Sequence, residues 1–297
     1  MAIKRSSFEK RGIYLLITVM MIFLCSACSN NKAENKEEKL TGQPDSNIDG
    51  KIDTTDANSD EKSTKLMQNP TTTPQPTDIA VNQEPKDKKE FVIVIDPGHQ
   101  AKQNSGQEPI GPGAKETKPK VSSGTQGRFT RKPEYEVNLE VSLKLRDLLK
   151  AQGYKVIMVR ETHNVNISNS ERAAIANQNK ADVFVRIHCN GSENPKDNGI
   201  FTMCSTKENK YCGQLYDKSR KLSECILSSL CDITEAKNDG IMETDSMSGI
   251  NWCEVPVTIV EMGFMTNKNE DIKLSNTEYQ NKLATGLAEG IKQYLEP

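Results

Sequence analysis

Phe91-Val92-Ile93-Val94-Ile95-Asp96-Pro97-Gly98-His99 is the stretch that decides the fold. Its apolar run, stopped by Asp-Pro-Gly, has the pattern of a strand buried on both faces, as in a parallel sheet covered by helices. Tyr154 to Val159, Ala181 to Ile187 and Val255 to Val260 read the same way. Helical patterns lie between them. Val137, Val141, Leu145, Leu148 and Leu149 share one face of a helix that stops near Gly153. Ser168-Asn169-Ser170-Glu171 predicts a capping box leading into Ala173-Ala174-Ile175-Ala176. Leu215 to Leu230 supplies another helix, and Tyr279, Leu283, Leu287, Ile291 and Leu295 mark the last. Strands alternating with helices predict an α/β protein: a single three-layer domain over residues 91–297, its mostly parallel sheet flanked by helices. That length supports one sizeable core.

Upstream the composition changes twice. Lys4, Arg5, Lys10 and Arg11 precede an apolar run from Ile13 to Leu24, the layout of an export signal over residues 1–28. The run ends Leu24-Cys25-Ser26-Ala27-Cys28, which resembles a bacterial lipoprotein signal. That resemblance implies a lipid on Cys28 and a membrane-anchored, extracytoplasmic protein. Cys25 departs from the pattern, which usually has an aliphatic residue there. Residues 29–90 contain no aromatic and no cysteine and are dominated by polar residues and proline, which predicts a disordered tether. The whole chain carries 39 Lys+Arg against 41 Asp+Glu, a net charge of -2, with no basic surplus to suggest a nucleic-acid partner.

In an open α/β sheet the ligand crevice lies at the carboxyl ends of the strands, so the residues following each apolar run come first. Asp96-Pro97-Gly98-His99 follows the first, His188-Cys189-Asn190 the third, and Glu261-Met262-Gly263-Phe264 the last. Two of the chain's three histidines and a glutamate therefore converge on one rim. Two imidazoles and a carboxylate around an open position suit a catalytic zinc, and a further carboxylate is needed to move protons. Glu108, Glu116, Glu134 and Glu136 all lie between the two histidines, and the pattern alone does not choose among them.

Five stretches together resemble the zinc-dependent N-acetylmuramoyl-L-alanine amidases of the type-3 family. They are Ile95-Asp96-Pro97-Gly98-His99, Glu134-Tyr135-Glu136-Val137-Asn138-Leu139, Ser170-Glu171-Arg172-Ala173-Ala174-Ile175-Ala176-Asn177, Arg186-Ile187-His188-Cys189-Asn190 and Val260-Glu261-Met262-Gly263-Phe264-Met265-Thr266-Asn267. They stand in the family's order and span nearly all of residues 91–297. The resemblance implies one zinc ion per chain on His99, Glu134 and His188, with Glu261 as the catalytic acid/base. It implies peptidoglycan as substrate, cut between the muramoyl residue and L-alanine of the peptide stem. Cys189 departs from the family, where alanine is frequent, and leaves the ligand set intact.

Other features have plainer readings. His163 lies in a polar loop. Glu136 and Arg172 read as fold supports or solvated helix residues. The long stretch Gln100 to Lys132 is a candidate cleft wall, and Asp232 to Cys253 a candidate for stem recognition. Among the six cysteines of the folded region, Cys189, Cys204, Cys212, Cys225, Cys231 and Cys253, no Cys-x-x-Cys pair occurs and no disulfide is assigned. Cys189 beside His188 points to the opposite strand face, which argues against a nucleophile dyad. An exported zinc peptidase cutting within the stem, and a non-catalytic wall-binding lipoprotein, remain as rival readings. The sequence leaves open whether a protein activator takes part.

Overall fold

The computed structural model describes residues 90–297. The expected export signal, the Cys28 lipid site and the polar tether lie outside the described residues. In chain order the described elements are β1 (Val92–Pro97), β2 (Asn104–Pro109), β3 (Thr117–Val121), α1 (Glu134–Ala151), β4 (Lys155–Met158), α2 (Asn169–Gln178), β5 (Val183–Asn190) and β6 (Ile200–Cys204). Then come α3 (Tyr216–Thr234), β7 (Asn238–Glu243), α4 (Ser248–Asn251), β8 (Val257–Phe264), α5 (Lys268–Leu274) and α6 (Thr277–Leu295).

The sheet has six strands in the order β4-β1-β5-β8-β6-β7. β4, β1, β5 and β8 run parallel, β6 lies antiparallel to β8, and β7 runs parallel to β6. The expected three-layer, mostly parallel architecture is present, with an antiparallel extension on one side.

The two-residue period of the strands divides the core. Ile93, Ile95, Val183, Val185, Ile187, Val260 and Met262 face α1, α3 and α6, joining Val137, Val141, Leu145, Leu222, Ile226, Leu283 and Leu287. Val94, Phe184, Val257 and Ile259 face the other way, toward Ala173 and Ala176 of α2 and Ile250 of α4. The predicted capping box is formed: the Glu171 N–H donates to Ser168 Oγ at 3.3 Å, and the Ser168 N–H donates to Glu171 Oε2 at 2.7 Å.

Three local expectations change. β5 and β8 do not stop before the polar residues; they run through His188 and Glu261, which pair in register. Backbone pairing with an adjacent parallel strand persists whatever the side chain is, so polarity marked the site and not the strand end. Within Gln100 to Lys132, β2 and β3 form an antiparallel hairpin whose polar residues carry no apolar alternation. β6, an entirely buried Ile-Phe-Thr-Met-Cys run, and the exposed polar β7 complete the sheet edge.

Candidate metal centre

His99, Glu134 and His188 meet at the carboxyl ends of β1 and β5 and the amino end of α1, each offering one ligand atom. His99 Nε2 and His188 Nδ1 each lie 3.2 Å from Glu134 Oε1 and 3.1 Å from one another. Tetrahedral coordination with metal–N/O bonds of 2.0–2.2 Å requires neighbouring ligands roughly 3.3 Å apart. The triangle fits zinc in both size and donor chemistry.

Each ligand is held by its surroundings. His99 follows Pro97-Gly98 and has φ 60, a left-handed conformation that turns its ring back over the end of β1. Its Nδ1 lies 3.0 Å from the Ser122 carbonyl; donation there leaves the Nε2 lone pair free for a metal. His188 follows Ile187 on β5, and its ring lies against Gly98, where a Cβ would come within 2.3 Å of the imidazole. Burial pushes the His188 pKa down to about 4, so the ring is neutral and able to donate its lone pair at physiological pH.

Glu134 is the first residue of α1 and is almost wholly buried. Its Oε2 accepts the Thr125 N–H at 2.8 Å, while Oε1 accepts the Cys189 N–H at 3.0 Å and Asn138 Nδ2 at 3.1 Å. Burial would raise its pKa, yet His99 and then His188, through charge and hydrogen bonds, outweigh that cost and hold it well below the usual carboxylate range. Asn138, one helical turn on, also donates to the Gly98 carbonyl at 3.3 Å, tying the helix start to the β1 turn. The Glu-x-x-x-Asn spacing thus has a physical reason. Gly124, at φ 77, closes the other side: a Cβ there would sit 2.6 Å from Glu134 Oε2 and 2.8 Å from the His99 ring.

Glu261 lines the same cleft. Burial, then the nearby Glu134 charge, push its carboxyl well above the ordinary value, and Oε2 is buried without a partner among the described residues. Cys189 turns its thiol into the opposite core, where burial raises its pKa well above the ordinary value. It therefore helps through its N–H and is no thiolate nucleophile. The six cysteines among the described residues are free thiols. His163 stacks edge-on against Tyr135, with centroids 5.3 Å apart, and is absent from the ligand cluster.

Sequence reasoning missed the supporting residues Ser122, Gly124 and Thr125, which lie in a polar loop without periodicity. It also left Arg172 as a support or solvated residue, and the structure decides for a support. Arg172 is fully buried, donating to Asp96 Oδ1 at 2.6 Å and to the Pro97 and His99 carbonyls at 3.0 Å.

The described chain resembles known proteins over this same region. A family model for N-acetylmuramoyl-L-alanine amidase matches residues 93–293. The uncharacterized protein YqiI of Bacillus subtilis is 31% identical over 163 residues, covering 55% of this chain and 75% of its own. The N-acetylmuramoyl-L-alanine amidase LytC of the same organism is 28% identical over 202 residues, covering 68% of this chain; the chain spans only 35% of that relative. The crystal structure of an N-acetylmuramoyl-L-alanine amidase from Clostridium difficile 630 superposes with a TM-score of 0.58 at 27% identity, covering 70% of this chain and 98% of that one. With the fold, the ligand triangle and a family match spanning both, the chain belongs to the type-3 N-acetylmuramoyl-L-alanine amidase family.

Proposed function

We propose that the protein hydrolyses the amide between N-acetylmuramoyl residues and L-alanine of the peptidoglycan stem, with zinc on His99, Glu134 and His188 and Glu261 as the acid/base. The observation that carries this reading is the 3.1–3.2 Å triangle of lone pairs beside a carboxylate whose Oε2 has no partner among the described residues. When bound, zinc supplies a Lewis acid and lowers the pKa of a water toward neutrality. Glu261 takes the water's proton at its carboxylate as the lactyl carbonyl is attacked, then returns it to the departing alanine nitrogen. A carboxyl with a raised proton affinity suits both halves of that exchange. Asn138, Thr125 and the Cys189 N–H keep Glu134 fixed as a ligand, leaving Glu261 as the mobile proton carrier.

The wall lies outside the cytoplasm, and the basic and apolar N-terminal pattern supports export, with a lipid on Cys28 as the membrane attachment. Among the described residues no helix is long and apolar enough to cross a membrane.

Incubating the purified protein with peptidoglycan, with and without zinc, and weighing the released fragments tests the reading. Metal-dependent release of intact stems bearing a free alanine amine is the expected result. Cuts between stem residues would replace the amidase by a peptidase, and zinc-independent release would remove the metal from the mechanism.

A further inference from the structure

The cleft has two unlike arms that meet at the metal centre. One, of about 310 Å³, is lined by Lys118 of the hairpin, Asn169, Arg186 and the Ser246 to Gly249 turn. The other, of about 520 Å³, is lined mainly by neutral polar residues, among them Thr125, Asn190, Ser192 and Thr266, with Glu193 as its added charge.

Arg186 gives the smaller arm its character. It lies two residues before His188 on β5, so both side chains leave the same face of the strand, roughly 7 Å apart along it. The side chain is 4% exposed. Its Nε donates to Asp96 Oδ2 and its Nη2 to Asn169 Oδ1, both at 2.8 Å. The guanidinium packs directly on Gly249, where a Cβ would stand 1.6 Å from Nη1. Among the described residues the guanidinium's hydrogen bonds run from Nε and Nη2, and Nη1 makes none.

The charges here do not balance. Asp96 also binds Arg172, so one carboxylate faces two guanidiniums, and a third, Arg160, donates to the Pro97 and Gly98 carbonyls beside them. Glu261 also lines this arm, but its carboxylate is committed to moving the proton of the reaction. A desolvated positive charge at a cleft floor, with one donor edge unused and Lys118 lining the same arm, suits an anionic ligand.

We propose that Arg186 is the specificity residue of this arm and pairs with the free carboxylate of an acidic residue that follows alanine in the stem. The cationic arm then takes the peptide and the neutral arm the glycan, whose hydroxyls ask for hydrogen bonds and not for charge. The reach agrees: the second stem residue ends two residue lengths, on the order of 7 Å, from the cut amide, matching the Arg186 to His188 spacing along β5. This inference rests on the amidase reading above.

The test uses two muramoyl peptides identical except that the second stem residue carries a free carboxylate or its carboxamide. With the zinc-loaded full chain, the acid should be preferred by about tenfold in kcat/KM, expressed mainly in KM, as expected for a charge-assisted pair. Arg186→Gln should bring that ratio close to one, Arg186→Lys should restore part of it, and Lys118→Met, which breaks no buried ion pair, should lower it by less. Equal use of both peptides by the unmodified chain overturns the proposal, as does an undiminished preference in Arg186→Gln that still binds zinc. If Arg186→Gln does not fold, the unmodified chain and Lys118→Met decide. If neither peptide is cut at the muramoyl amide, the amidase reading fails; calorimetry with the free acidic and amidated peptides then judges Arg186 separately, equal affinities overturning it.

Discussion

On the proposed reading Glu261 and Asn138 serve the centre in different ways, one by moving a proton and one by holding Glu134 still. Replacing Glu261 by Gln keeps shape and removes proton transfer, so peptidoglycan hydrolysis should fall by about 10²–10⁴. Zinc content, measured by elemental analysis, should be unchanged; parallel loss of both would reassign Glu261 to the ligand set. Asn138→Ala removes the 3.1 Å donor to Glu134 Oε1 and the tie to Gly98. Loss of such an outer support typically costs about 10–100-fold in metal affinity. Competition with a chromophoric chelator measures this, and unaltered affinity would show that Thr125 and Cys189 suffice to orient Glu134. His99 and His188 were legible from their places after apolar runs, and Glu134 only through the resemblance of Glu134 to Leu139 to the family's Glu-x-x-x-Asn-Leu stretch. Ser122, Gly124 and Thr125 left no trace because backbone carbonyls, backbone N–H groups and absent side chains carry no type-specific signal.

Between elements, α3 and α6 pack through glycine. A Cβ on Gly290 would stand 2.5 Å from Ile226 Cα and 2.8 Å from the Cys225 carbonyl oxygen. Alanine gains up to about 1 kcal/mol in helix propensity over glycine. Overpacking against backbone, which cannot rotate away, costs about 1–3 kcal/mol, so Gly290→Ala should be net destabilising. Urea unfolding measures the difference, and a higher midpoint at constant slope would contradict it. At the other elements the sequence was readable where burial set a period: the apolar runs of β1, β5 and β8 and the apolar faces of α1, α3 and α6. The β2–β3 hairpin escaped because its strands lie outside the main sheet and are largely exposed. What holds it is tertiary: Glu108 accepts from Ser170 Oγ at 2.6 Å, and Trp252 Nε1 donates to the Pro109 carbonyl at 2.9 Å.

Over the whole molecule, charge buried behind the site links stability to pH. Burial alone would raise the pKa of Asp96, but Arg172 and then Arg186 overcome it and hold the carboxyl well below its ordinary value of 3.8. A depressed folded-state pKa contributes stability that is fully present above the unfolded value and is lost as pH falls toward the folded one. Stability should therefore decline on acidification below about pH 4. In Asp96→Asn, less stable at neutral pH because two guanidiniums lose their partner, that part of the decline should be missing. Denaturant titrations between pH 3 and 7 compare the slopes, and identical slopes would show that Asp96 does not govern acid unfolding. Zinc at 100 times its dissociation constant adds about 2.7 kcal/mol to the folded state. Chelation should accordingly lower the melting temperature by roughly 5–11 °C for a domain of this size. A melting temperature indifferent to chelator would mean that the triangle holds no metal.

Taken by itself, the sequence determined the layer architecture, because burying a strand on both faces demands an apolar run and burying one helix face demands a 3.6-residue period. It also singled out His99, His188 and Glu261 as the candidate chemistry-bearing groups, since few residue types can bind metal or carry a proton. Only the tertiary structure decided which donors orient Glu134, how far β5 and β8 continue, and where the hairpin closes the cleft. It also decided that Asp96 serves two guanidiniums at once. Those outcomes depend on distances between segments remote in the chain, and such distances arise only when the layers pack.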